Sequence, residues 1–86
     1  MASGASTVLM IRVRTVRSGL FLPAVGVWTE VENGGVLGEV IDPSTGATRE
    51  WVKSPTFGRV MAMREHPVVY PGTVVGRVVT TKKDGA

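Results

Sequence analysis

Apolar and polar residues alternate with a period of two along nearly the whole chain, and valine dominates the apolar positions. A period of two places successive side chains on opposite faces of a strand, and β-branched side chains suit a pleated surface. No window of helical length carries a period of 3.6. The pattern predicts strands over Thr7 to Arg17, Leu20 to Leu22, Val36 to Ile41, Thr48 to Lys53, Arg59 to Arg64 and Thr73 to Thr81. Between them stand segments with turn chemistry: Ser18-Gly19, Glu32-Asn33-Gly34-Gly35, Asp42-Pro43-Ser44-Thr45-Gly46, Ser54-Pro55 and Tyr70-Pro71-Gly72. Short strands at close, regular spacing predict a small all-β barrel or sandwich. One β domain is expected over 7–81, with frayed ends at Met1 to Ser6 and Lys82 to Ala86.

The pattern also repeats. VENGGVLGEVID begins at Val31, and VYPGTVVGRVVT begins at Val69, 38 residues further on. The two share Val31 with Val69, Gly34 with Gly72, Val36 with Val74, Gly38 with Gly76 and Val40 with Val78. Upstream, Gly19-Leu20-Phe21-Leu22 precedes the first copy much as Gly58-Arg59-Val60-Met61 precedes the second, with one residue of slippage. Alternation puts Val36, Gly38 and Val40 on one face and Leu37, Glu39 and Ile41 on the other. Glycine inside a strand weakens it unless a bulge or a close backbone approach requires the missing side chain. Gly38 and Gly76 are therefore expected at two equivalent close approaches, Gly19 and Gly58 at turns entering strands, and Gly34 and Gly72 in the second turns. Each half is too small to bury its own apolar face. The halves are expected to interlock about a pseudo-twofold axis.

Size and composition narrow the possibilities. The chain has 86 residues and no cysteine, so apolar packing must hold a thin core without disulfides or thiolate metal sites. The start lacks a basic leader region, and Val8 to Ile11 is too short for a signal core or a membrane span. A cytoplasmic location and no membrane partner are the expectation. The formal net charge is +3, which raises the question of nucleic acid. Its distribution argues against that: Lys82 and Lys83 lie in the tail, and Arg12, Arg14 and Arg17 are spread along the first strand. Arg12 and Arg14 share one face, opposite Leu9, Ile11 and Val13, with no aromatic residues interleaved for base stacking.

Catalytic constellations are missing. A catalytic zinc needs three protein ligands, and this chain has a single histidine, His66, placed in a loop. No Gly-x-Ser-x-Gly elbow surrounds any serine. Glu30 and Glu32 stand beside Asn33-Gly34 as part of a solvated turn, and Gly34 to Gly38 lacks the lysine and glycine spacing of a phosphate loop. No catalytic, cofactor-binding or metal-binding residue is assigned. Trp28, Trp51 and Tyr70 remain as possible interface residues, because large aromatics with a polar handle are enriched at interfaces. Trp51, between Glu50 and Val52, is expected at the core or its rim.

Two interlocked halves of this kind, ending in SPTFGRVMAMREHPVVYPGTVVGRVV, resemble the barrel-sandwich hybrid of lipoyl and biotinyl carrier domains. Those domains modify a lysine at the hairpin tip between the halves. Here that tip is Asp42 to Ala47 and has no lysine, while Lys53 lies well down the strand. A closer resemblance covers Val13 to Val79. SGLFLPAV at Ser18 to Val25, VENGGVLGEVID, and VKSPTFGRVMAMREHPVVYPG at Val52 to Gly72 are similar to the C-terminal β domain of succinylglutamate desuccinylase and aspartoacylase-like proteins, of the zinc carboxypeptidase superfamily. This chain departs from the family pattern at Trp28-Thr29, Gly34-Gly35 and Gly72-Thr73, where the family writes Gly-Asp, Gly-Gln and Gly-Asp.

The resemblance implies hydrolysis of N-acyl amino acids by a catalytic domain that holds zinc through a His-x-x-Glu motif and a distant histidine. None of that domain is in this sequence, so zinc is expected only in a partner. The expected function is a non-catalytic β domain that packs on such a partner and shapes its entrance. The alternative is a free-standing barrel-sandwich module that self-associates.

Overall fold

The computed structural model describes residues 9–81; the two tails expected to fray lie outside them. Eight strands follow one another: β1 (Met10–Arg14), β2 (Gly19–Pro23), β3 (Glu30–Val31), β4 (Val36–Ile41), β5 (Thr48–Lys53), β6 (Gly58–Met63), β7 (Val68–Val69) and β8 (Val74–Thr80). They form two four-stranded antiparallel sheets, ordered β1-β8-β6-β3 and β5-β4-β2-β7. The all-β class and the sandwich follow the alternation pattern. The second sheet takes β7 from the C-terminal half, and the first takes β3 from the N-terminal half, so the halves interlock.

Corresponding residues of the two halves make corresponding bonds. Gly19 pairs with Val69 and Gly58 with Val31. Phe21 N–H donates to the Pro67 carbonyl at 2.8 Å, and Val60 N–H to that of Thr29 at 2.9 Å. The turns are held alike: Gly34 N–H donates to Ser54 O and Ser54 N–H to Gly35 O, while Gly72 N–H donates to Thr15 O and Thr15 N–H to Thr73 O. Thr15 and Ser54, both 2% exposed, are the buried polar residues among those described. Each hydroxyl is satisfied by a main-chain carbonyl, of Tyr70 at 2.9 Å and of Thr56 at 2.6 Å, as buried polar groups require.

The core is Val13, Phe21, Val31, Leu37, Val40, Val52, Val60, Val69, Val75 and Val78. Strict alternation fails in the same place in both halves. Opposite β5, Val36 pairs with Lys53 and Gly38 with Val52, leaving Leu37 as an extra residue. Opposite β1, Gly76 pairs with Val13 and Val74 with Arg14, leaving Val75 extra. Each bulge turns its extra side chain inward: Leu37 and Val75 are 1% exposed. The sequence expectation that Val36 shares one face with Gly38 and Val40 is corrected accordingly, since Val36 is exposed while Val40 and the extra Leu37 are buried.

The glycines occupy two kinds of place. Gly34 and Gly72 sit in turns at φ of 86° and 88°. At Gly38 a Cβ would lie 2.5 Å from the Leu22 carbonyl and 2.7 Å from the Phe21 ring; at Gly76 it would meet Met63 Sδ at 3.0 Å and the Ala62 carbonyl at 3.1 Å. Gly19 and Gly58 lie within strands, not in turns before them, and a Cβ on either would collide with the carbonyl of Ile41 or Val79.

Several strand boundaries differ from expectation, some for local reasons. β1 stops at Arg14 because the Glu50 carboxylate accepts the Val16 and Arg17 N–H groups and turns the chain out of the ladder. β8 begins after Thr73, whose N–H closes the turn on Tyr70 O. β3 and β7 are too short to show a period, so Glu30 belongs to a strand where a turn was expected.

Candidate functional site

The candidate interface residues are all on the surface. Trp51 is 54% exposed on the outer side of β5, and its neighbour Val52 enters the core, so Trp51 is not a core residue. It stands opposite Glu39 of β4, which in turn stands opposite Leu22 of β2. Leu22 is exposed as well, giving this sheet an outer row of two apolar side chains around one carboxylate. Thr48 Oγ1 donates to that carboxylate at 2.6 Å.

Tyr70 follows β7 and is 66% exposed. It lines an open cavity of about 490 Å³ with Leu20, Val68, Pro43, Asp42 and Arg49. The cavity wall is braced from β5. Arg49 donates to Ser18 O at 3.1 Å and to Asp42 Oδ2 at 2.9 Å, and Asp42 Oδ1 accepts Ser44 N–H at 2.7 Å. The Ser44 N–H and the Arg49 guanidinium hold the Asp42 carboxyl below its ordinary value. A carboxyl lowered in the folded state stabilises the fold at pH values above about 4 and loses that contribution as pH falls through its folded value. The difference in unfolding midpoint between the parent and Asp42→Asn, present at pH 7, is therefore expected to shrink in thermal scans below about pH 4. A difference unchanged at strongly acid pH would contradict this assignment.

Trp28 lines neither this cavity nor the smaller one beside Met63 and Gly76. It lies in the loop between β2 and β3, 63% exposed, and its N–H donates to Val60 O at 2.6 Å. Its φ is 77°, the one positive value at a non-glycine among the described residues. A bulky side chain in the left-handed region costs about 1–2 kcal/mol, and glycine adopts it freely. The turn is made at tryptophan, with the strain retained. Trp28→Gly is expected to raise the unfolding free energy by about 0.5–1 kcal/mol in urea titration; a loss of stability would mean the indole supports the fold.

Thus the structure gathers Tyr70, Asp42 and Arg49 at one cavity and leaves Trp28 and Trp51 outside it. Sequence inspection missed Thr15, Ser54, Arg49 and Glu50 as organisers. Thr15 and Ser54 could have been found from their matching position, 39 residues apart, at the ends of corresponding strands.

His66 is exposed in the loop before β7, and among the described residues no group of three or more His, Cys, Asp or Glu is placed to hold a metal ion. The zinc implied by the family resemblance does not fit these residues. Between β4 and β5 the tip has no lysine: Asp42 N–H donates to Ala47 O and Gly46 N–H to Asp42 O, closing a tight loop. Among the described residues no helix is long and apolar enough to cross a membrane.

No protein-family model matches the chain, and no curated protein matches it. Solved structures do. The chain superimposes on an aspartoacylase family protein from Mesorhizobium loti with a TM-score of 0.74 and 22% identity, over 84% of this chain and 23% of that one. It superimposes on a succinylglutamate desuccinylase/aspartoacylase from Rhodobacter sphaeroides with a TM-score of 0.71 and 26% identity, over 87% of this chain and 23% of that one. The likenesses support the family resemblance drawn from the turn motifs. The chain spans about a quarter of the length of either structure.

Proposed function

We propose that this chain is a non-catalytic β domain of the aspartoacylase/desuccinylase type, which packs against a zinc-dependent catalytic domain outside this chain and shapes its entrance. The observation that carries the proposal is the match over most of this chain and about a quarter of the relatives, together with the lack of a ligand set among the described residues. The exposed aromatics Trp28, Trp51 and Tyr70 are the proposed contacts, and the cavity wall that Arg49 ties to Ser18 and Asp42 is the proposed frame of the neighbouring site. The matching bonds of the two halves support an internal repeat as the origin of the fold, and a cytoplasmic location fits the composition.

A tagged chain drawn from the extract of its source is expected to bring down a zinc hydrolase near one-to-one, identified by mass spectrometry and metal content. The chain alone is expected to leave N-acetyl-aspartate and N-succinyl-glutamate intact. Recovery of the chain by itself as a defined oligomer would replace this function with that of a self-associating module. Stoichiometric zinc with turnover by the isolated chain would overturn the non-catalytic role.

A further inference from the structure

The outer face of the β1-β8-β6-β3 sheet carries a concentration of arginine. Arg12 of β1 stands directly opposite Arg77 of β8, and both are exposed. Arg77 in turn stands opposite Ala62 of β6. The next row runs Met10, Val79, Arg59, Glu30 across all four strands. Arg14, two residues from Arg12, completes the face and donates to Gly72 O at 3.0 Å. Among the described residues this face sets four arginines against one carboxylate, Glu30, at 3.9 Å from Arg59. Among the described residues neither Arg12 nor Arg77 has a hydrogen-bond or ion-pair partner. The other sheet has no such excess: Glu39, opposite the exposed Trp51, and Asp42, paired with Arg49, stand against Arg49 and Lys53.

Like charges directly opposite on neighbouring strands destabilise a sheet. A cross-strand arginine pair with no counter-ion among the described residues is therefore a cost to the domain that an anionic partner would remove. We propose that this face docks on an acidic protein surface, whose carboxylates bridge Arg12 and Arg77. Guanidinium pairs with carboxylate in a bidentate fork. The setting is that of a protein contact: arginine and methionine are enriched in such interfaces, and here Met10 and Val79 stand in the row beside the arginines. A nucleic-acid strand would call for aromatic stacking platforms, and no aromatic stands in these cross-strand rows. A second copy of the same face would set arginine against arginine. The proposal rests on a second polypeptide covering the domain and specifies the chemistry of its contact.

The test uses the full chain and a fluorescein-labelled deca-glutamate peptide, read by anisotropy at low salt. The double variant Arg12→Ser/Arg77→Ser is expected to bind at least about tenfold more weakly, the loss of charge-assisted bonds. Arg17→Ser/Lys53→Ser, with the same change in net charge, is expected to stay within about threefold. Without a partner, Arg12→Ser is expected to raise the thermal midpoint by about 1–5 °C at low salt and by less in 1 M salt, where repulsion is screened. Equal weakening in both double variants would reduce the effect to net charge and overturn the proposal. So would a lowered midpoint for Arg12→Ser, or an oligothymidylate bound tenfold more tightly than the peptide through the same arginines. The peptide assay does not involve the catalytic polypeptide, so its failure removes the acidic contact and leaves co-purification to decide the larger proposal.

Discussion

Gly58→Ala is expected to lower the thermal midpoint by about 10–20 °C, the equivalent of roughly 3 kcal/mol in a domain of this size. A Cβ at Gly58 would collide with the Val79 carbonyl and lie 2.8 Å from Val78 Cγ1. The first of these atoms belongs to the central strand β8 and the second to a side chain with no exposed surface. Neither can rotate away: the two strands must separate or the ladder must break. Because a small domain has only about 5–10 kcal/mol of stability, the loss is a large fraction of the total. Gly26→Ala supplies the control, since a Cβ there meets nothing within 4 Å, and its midpoint should move by no more than a few degrees. Circular dichroism melts of both variants decide the matter. A Gly58→Ala midpoint within the control's range would mean that the strands can part at little cost, and that the repeated glycine has some other cause.

Gly58 also shows how far the sequence could be read. Its place in a repeated phrase pointed to a special role, and the role came out as a close approach within a strand, not a turn before it. The difference arises because a glycine at the start of an apolar run looks the same in either setting until the partner strand is known. β4 and β5 were legible to the residue, having unbroken patterns between strong turn signals. β3 and β7 were not, because two residues carry no period and exist as strands only through Gly58 and Gly19 opposite them. The bulges at Leu37 and Val75 were hidden for a related reason: an extra inward residue reads as one more alternating position. Of the candidate site, the aromatics were visible as residue types. Their separation was not, since Trp51 and Tyr70 take their positions from a sheet assembled out of both halves. Arg12 and Arg14 were legible as sharing a face, but their meeting with Arg77 depends on the register of β1 against β8.

Phe21→Ala is expected to cost about 3–5 kcal/mol, enough to leave the domain marginal at room temperature. Phe21 is 1% exposed and is the largest fully buried side chain of the core. Its ring lies across Gly38, where a Cβ would come within 2.7 Å of Cε1 and 2.8 Å of Cζ. The aromatic ring and the bare backbone are therefore one packing unit, and removing either side has a calculable effect on the other. Gly38→Ala should destabilise by about 2–3 kcal/mol in the parent, where the ring is fixed by close packing. With Phe21→Leu, which withdraws those ring atoms while keeping the fold measurable, the same Gly38→Ala change should cost at least about 1 kcal/mol less. Some penalty remains in either background, because the Leu22 carbonyl would still lie 2.5 Å from the new methyl. Urea titration of the two single variants and the double variant measures the coupling. Additivity within about 0.5 kcal/mol would assign the exclusion at Gly38 to the Leu22 carbonyl alone. A coupling of the expected size makes Phe21 the reason that the first copy of the repeat needs glycine at this position, while at Gly76 the softer neighbour Met63 Sδ, 3.0 Å away, leaves room for a smaller penalty.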